Sequence, residues 1–524
     1  MDDKEKKELF QKAITLHQDG NLHEADKIYM AVLSTDKNNF AANYLHGCIL
    51  LDRDQLQESI KYLELAVKLQ PDNFEVNNAL GIAFKNLGNL SDSEKHFRKS
   101  ILIDDKNYQA YFNCANVYAD MLDFKSAIKY FELTLMHNKN FAEAKQRLGE
   151  VYQEMFKVDR NKEHLTKAIS YFDSIFEDGL SFTVSSFHTS NTLISLGLSY
   201  LWLENIDKAN EYFKKLNIQN NNDESYSKKY IEEHLSNKES MKTIITHEFE
   251  QLTHIDEDID EIRNPKFTKE YYHELKKLYY KIKDNSFSES DVSNDTKIQM
   301  TKILYNKAPK IKSENLINEE NDVSKLESQY LEKSPEVLVI DNFLTSEALH
   351  EIQKFCRNAN IFKYPYTNGY VGAFLTKGLS NKFILKLSED LRYTYSKIFK
   401  EMRLSQAWIY KYDSTKKGIN IHADPAGINV NFWVTPNEGN LNPNDGGLKV
   451  WNKFPPKEWD FDEYNTDVEK MKKFLSENRS KELTIPYKEN RAVIFNSKLF
   501  HSTDTFTFND SYIHKRINIT FLYE

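Results

Sequence analysis

Hydrophobic and polar positions follow two different periods along this chain, and the change between them divides it. In the N-terminal part small residues recur every 34 positions, at Ala13, Gly47, Gly81, Ala115 and Gly149. A second small column runs through Ala25, Ser59, Ser93 and Ala127, and a bulky one through Tyr29, Leu63, Phe97 and Phe131. Gly20, Asp54 and Gly88 form a turn column. Small residues let paired helices approach closely and the bulky residue fills the groove between successive pairs, so this period predicts stacked helical hairpins. In the C-terminal part the period falls to two. Residues 428–434 set Asn429, Asn431 and Trp433 against Ile428, Val430, Phe432 and Val434. The last run sets Arg516, Asn518 and Thr520 against Ile517, Ile519, Phe521 and Tyr523, and Trp408, Tyr410 and Tyr412 share a face opposite Ala407, Ile409 and Lys411. That alternation predicts strands enclosing a polar-lined cleft, backed by an apolar layer; a plain sandwich would turn the polar face to solvent.

The helical period loosens after Phe156, where residues 157–163 intrude before a helix restarts around Ala168. Gly197, Ala209 and Phe213 restore the offsets of Ala13, Ala25 and Tyr29 after an excursion around 175–190, which makes a sixth, divergent repeat. A polar break is expected at 219–224. The expected organisation is regular repeats over 1–158, divergent helical repeats over 159–218, a charged helical bridge or linker over 219–333, and a strand-rich domain over 334–524. Thr345 is the expected N-cap of a helix running from Ala348 to Phe355. The columns of the first part resemble the tetratricopeptide repeat, which implies an all-α solenoid with a concave surface that holds a protein or peptide.

With 524 residues, the chain is too long for one ordinary domain. A net charge of −9 gives no electrostatic case for nucleic acid, which calls for a basic surface. Cys48, Cys114 and Cys356 are odd in number and widely spaced, and read as buried thiols of a reducing compartment rather than a disulfide frame. The first residues lack a signal-peptide core and no run approaches membrane-spanning length, so a cytoplasmic protein without membrane contact is expected.

The candidate chemistry lies in the C-terminal part. His422-Ala423-Asp424 is followed by His501 and then Arg516. Two histidines and one carboxylate can hold ferrous iron on one face and leave the opposite positions open. In an extended segment side chains i and i+2 point the same way, so His422 and Asp424 can reach one metal. Arg516 can receive a carboxylate in two-pronged fashion, and is preferred to Lys515 on strand phase. His514, in phase with Arg516, is expected to line the cleft. His188, His247, His254 and His273 form no ligand cluster, and Trp451 and Trp459 read as packing or rim residues.

This set, with Asp445-Gly446-Gly447-Leu448-Lys449-Val450 and the run from Arg491 to Thr503, resembles the iron(II)/2-oxoglutarate-dependent oxygenases over residues 335–524. The resemblance implies a double-stranded β-helix (jelly roll) with flanking helices. His422, Asp424 and His501 would be the metal ligands and Arg516 the partner of the far carboxylate of 2-oxoglutarate. Tyr410 is the first candidate for a hydroxyl assisting Arg516, Thr520 the second, and Asn431 shares the cleft-facing phase. Fe(II), 2-oxoglutarate and O2 are the implied cofactor and cosubstrates, and hydroxylation with release of succinate and CO2 the implied reaction. Fusion to a repeat array favours a protein or peptide substrate. Two alternatives stand beside it: a small-molecule substrate with repeats that bind a partner or form a homo-oligomer, and a repeat adaptor whose jelly roll is catalytically idle.

Overall fold

The structure is a computed structural model that describes residues 3–177, 186–255, 269–303, 306–413 and 418–524. It divides into two compact units, Met1–Ser185 and Ser186–Glu524. Part of the expected 175–190 excursion lies outside the described residues.

In the first unit each sequence repeat is a helical hairpin, beginning with Asp3–Gln18 and Leu22–Thr35 and ending with Ala142–Asp159 and Lys162–Glu177. The columns are its core: Ala25, Ser59, Ser93 and Ala127 are fully buried, as are Tyr29, Leu63, Phe97 and Phe131. Two of the small polar residues are satisfied across the pair, Ser59 Oγ donating to the Gly47 carbonyl at 2.8 Å and Ser93 Oγ to that of Gly81 at 2.7 Å. Asn39, Asn73 and Asn107 recur at the same period because each caps the first helix of its hairpin. The turn column is explained by backbone shape, since Gly20 and Gly88 take φ of +79° and +82°. The intrusion at 157–163 begins as helix: Ala142–Asp159 simply runs on past its counterparts and stops at Arg160 in the left-handed region.

The second unit begins with the divergent hairpin Ser186–Trp202 and Ile206–Asn222, in which Ala209 and Phe213 are fully buried. The expected break at 219–224 narrows to the single residue Asp223. The helix continues to Asn222, and Asp223 caps the next one, Glu224–His234, through the amides of Ser225 and Tyr226. Helices Lys238–His254 and Lys269–Lys283 follow. They are built into the unit: Glu248 pairs with Lys363 and accepts from the Tyr271 hydroxyl, all three side chains being buried. Gln251 Nε2 donates to the Ala359 carbonyl at 2.7 Å, and Trp202 Nε1 to that of Leu404 at 2.8 Å.

Among the described residues ten strands form two antiparallel sheets. The larger comprises β1 (Val337–Ile340), β2 (Tyr364–Tyr366), β3 (Tyr370–Phe374), β4 (Leu404–Tyr412), β5 (Ile428–Trp433), β8 (Arg491–Asn496) and β10 (Ile517–Tyr523), in the order β1-β8-β5-β10-β4-β3-β2. The smaller is β7 (Glu482–Ile485), β6 (Leu448–Trp451) and β9 (His501–Thr503). Trp433, Val493 and Phe495 of the larger sheet share a core with Leu448, Val450 and Ile485 of the smaller. Helix Lys382–Thr394 and the loop after β1 cover the other face of the larger sheet: Tyr523 donates to the Ser388 carbonyl at 2.9 Å, and Phe432 packs on Phe343. Thr345 caps Ser346–Asn358 through the Ala348 amide. Both faces of β5 and β10 are therefore buried, including the polar one.

Candidate metal centre

His422, Asp424 and His501 come together at the mouth between the sheets, each offering a ligand atom within 4.8 Å of the others. Backbone bonds set the histidines side by side, the His422 amide donating to the His501 carbonyl at 3.0 Å and the His501 amide to that of His422 at 2.8 Å. Their rings are 4.2 Å apart. Each Nδ1 lies against a carbonyl that can only accept, Asn420 at 2.8 Å and Leu499 at 2.9 Å. Nδ1 therefore carries the proton, and both Nε2 lone pairs are left to a metal. Burial and the neighbouring His501 pull His422 down to about 4, so it stands neutral at physiological pH. Burial pushes Asp424 up, but His501, His422 and the amide of Asn429 hold it below the usual carboxylate range.

Asn429 Nδ2 donates to Asp424 Oδ2 at 2.8 Å and fixes that carboxylate. The bond begins a polar ladder along the cleft wall. Asn431 donates to Asn429 at 2.5 Å, and Asn518 and Thr520 donate to Asn431 Oδ1 at 2.8 and 3.0 Å. Asn429, Asn431, Asn518 and Thr520 are all buried, so the polar phase of these strands faces a narrow interior cleft and not solvent.

Arg516 lines the same cleft and is 1% exposed. The turn before β6 orients it: Nε donates to the Gly446 carbonyl at 2.7 Å and Nη2 to that of Gly447 at 3.2 Å. Gly447 has no substitute there, because a Cβ would lie 1.9 Å from the Ile485 carbonyl oxygen. The guanidinium carbon sits 4.8 Å from the Tyr412 ring and 5.5 Å from that of Phe506. Among the described residues Arg516 forms no ion pair, the Asp504 charge acting on it only at a distance, and its Nη1 is buried without a hydrogen-bond partner. A buried cation held on one edge by neutral carbonyls, with a donor left over, can receive an anionic group.

Tyr410 does not assist Arg516. Its hydroxyl is bonded to Tyr366 and its ring packs among Tyr366, Tyr370 and Phe374. Register explains the displacement: Tyr410 faces Asn518, whereas the Tyr412 amide donates to the Arg516 carbonyl at 2.9 Å. Tyr412 was legible as the same strand phase, one rung along. Thr520 and Asn431 line the cleft, but the Thr520 hydroxyl donates to Asn431 and accepts from Asn518 instead of assisting Arg516. His514 falls in a short 3-10 turn that interrupts strand phase, and it pairs with Ser511 outside the cleft. Lys515 points the other way, to Glu250. Trp451 and Trp459 pack with Phe500 in an apolar cluster behind the metal ligands.

A tetratricopeptide repeat family model matches residues 40–73. Solved structures similar to the chain include MamA, at 22% identity over 32% of this chain and 96% of that one, with a TM-score of 0.29. PilW, a type IV pilus biogenesis factor, is 19% identical over 43% of this chain and 99% of its own (TM-score 0.37). YrrB, a TPR protein with an unusual peptide-binding site, is 17% identical over 36% and 89% (TM-score 0.29). No curated protein matches the chain. The N-terminal part is a tetratricopeptide repeat array. A region of antiparallel sheet follows it. Among the described residues no helix is long and apolar enough to cross a membrane.

Proposed function

We propose that this protein is an Fe(II)- and 2-oxoglutarate-dependent dioxygenase with a jelly-roll catalytic domain, which hydroxylates a protein or peptide bound by the repeat array. The observation that carries the reading is the pairing of two features in one cleft. A ligand set whose two Nε2 atoms face the Asp424 carboxylate sits at its mouth, and a buried guanidinium with an unsatisfied Nη1 lies within. A facial set of two imidazoles and a carboxylate suits ferrous iron and leaves room for further ligands. A dicarboxylate that chelates the metal at one end needs a cationic partner for its other end, which Arg516 supplies.

In this reading His422, Asp424 and His501 hold the iron, which supplies the site for activating dioxygen with 2-oxoglutarate as reductant. The chain's own residues do the positioning. Leu499 and Asn420 fix the imidazole tautomers, Asn429 fixes the carboxylate, and the Gly446 and Gly447 carbonyls aim Arg516. The ladder through Asn431, Asn518 and Thr520 satisfies this stretch of the polar wall with neutral side chains, which do not repel a carboxylate. The repeat array offers an extended surface for a polypeptide, so remote contacts supply affinity that the iron site cannot.

Calorimetric titration of 2-oxoglutarate under anaerobic conditions tests the assignment. Binding is expected to require Fe(II) or Mn(II), to disappear in His501→Ala, and to weaken in Arg516→Met. Metal-independent binding would count against it.

A further inference from the structure

Lys411 occupies the face of β4 opposite Tyr410 and Tyr412, directed toward helix Lys238–His254 and away from the iron cleft. It is 2% exposed, and its partners are neutral: the Cys356 carbonyl at 2.7 Å, the Tyr512 hydroxyl at 2.8 Å, and the rings of Phe362 and Tyr512, each at 4.4 Å. An ammonium has three donors, so one remains without a partner among the described residues. The lysine borders a cavity of about 200 Å3 that Lys242, His247, Lys283 and Lys515 also line. Lys242 is held by Glu239 at 2.8 Å, and Lys515 by Glu250; Asp413 completes the charged wall. His247 is 4% exposed and its Nε2 has no hydrogen-bond partner.

We propose that this cavity is a second ligand site, separate from the metal centre, which binds a small oxyanion (a phosphate or carboxylate group) between Lys411 and His247. Two observations independent of each other point to an anion. Lys411 is a buried amine bonded to no acid, and Glu250, whose charge reaches it, is already paired with Lys515; a bound anion offsets the cost of charging such a group. His247 is a buried polar group left unsatisfied in the same wall. Burial and the nearby Lys411, Lys515 and Lys363 keep it well below its usual range, so it is neutral and can present one N–H. Burial draws Lys411 down to about 7, and an oxyanion in contact would raise it and restore the ammonium. The volume admits a group of metabolite size, smaller than the roughly 300–1,000 Å3 of drug-sized sites.

The test uses the full chain and two probes, inorganic phosphate and succinate, each titrated calorimetrically at constant ionic strength. Wild-type protein is expected to bind at least one; binding of phosphate alone or succinate alone identifies which oxyanion the site takes. Lys411→Met should weaken that binding at least about tenfold, the worth of a charge-assisted hydrogen bond. His247→Phe should weaken it several-fold; succinate is titrated in Arg516→Gln protein as well, so that only binding outside the iron cleft is counted. Failure of both probes to bind wild-type protein overturns the proposal. So does binding that survives Lys411→Met and His247→Phe, or binding lost in Arg516→Gln and kept in Lys411→Met. If Lys411→Met does not fold by circular dichroism, His247→Phe decides, and unchanged affinity there overturns the proposal.

Discussion

The guanidinium of Arg516 lies 4.8 Å from the ring of Tyr412, and the backbone of the two residues is hydrogen-bonded. Stacking and the Gly446 and Gly447 carbonyls fix the fork in one plane, which leaves Nη1 free for a ligand. Arg516→Lys keeps the charge and loses that plane. The account predicts that it raises the Kd for 2-oxoglutarate about tenfold or more, with metal affinity unchanged. Tyr412→Phe, which removes a hydroxyl from beside Arg516, should weaken 2-oxoglutarate binding more than Tyr410→Phe. The reverse order would show that the register argument is mistaken.

Close helix packing in the repeat array yields a second prediction. A Cβ at Gly149 would lie 2.4 Å from Phe172 Cε1, inside a fully buried ring. Gly149→Ala gains about 1 kcal/mol of helix propensity but overpacks the hairpin, which typically costs about 1–3 kcal/mol. Urea unfolding should show a net loss of stability, and Phe172→Leu in the same chain should recover most of it. A stabilised single variant would contradict the packing argument.

Legibility in the sequence followed the range of the interactions. The repeat columns could be read because each hairpin repeats one local contact, such as Gly81 against Phe97, at a fixed spacing. The cleft-facing phase of β5 and β10 could be read because alternation is a local property. Which rung meets Arg516 could not, since that depends on the register of β4 against β10, set by residues more than a hundred positions apart. The same holds for the helices after Asn222. Glu248 reads as one more charge in a charged stretch until Lys363 is placed beside it.

That buried pair makes the unit boundary testable. A fragment beginning at Ser186 keeps Glu248 with Lys363 and Trp202 with Leu404. A fragment beginning at Ser334 strips both and leaves Lys363 buried without its acid, a loss of about 3–5 kcal/mol for a broken buried pair. The longer fragment should be monodisperse with a cooperative thermal transition, and the shorter one should aggregate. A well-folded shorter fragment would return residues 219–333 to the status of a linker.

Lys411 ties stability to pH. Its pKa in the folded chain is drawn down to about 7 from 10.5, so between those values the unfolded chain binds more protons and stability rises with pH. The full penalty applies below about pH 7. Replacing the lysine with methionine removes it, so Lys411→Met in an anion-poor buffer should stabilise the protein by about 1–4 kcal/mol near pH 6.5. The gain should shrink steadily toward pH 9.5. Denaturant titrations at both ends of that range measure it, and a gain independent of pH would contradict the assignment of a buried amine.

The central claim concerns what His422, Asp424 and His501 do together. Conversion of isotopically labelled 2-oxoglutarate to succinate, measured with and without Fe(II) and with desalted cell lysate as a source of polypeptide substrate, tests it most directly. The account predicts succinate formation that requires Fe(II), increases with lysate protein, and is abolished in His501→Ala and Asp424→Ala proteins that remain folded. No succinate from folded, iron-loaded wild-type protein under any of these conditions, or undiminished turnover in either variant, would contradict it.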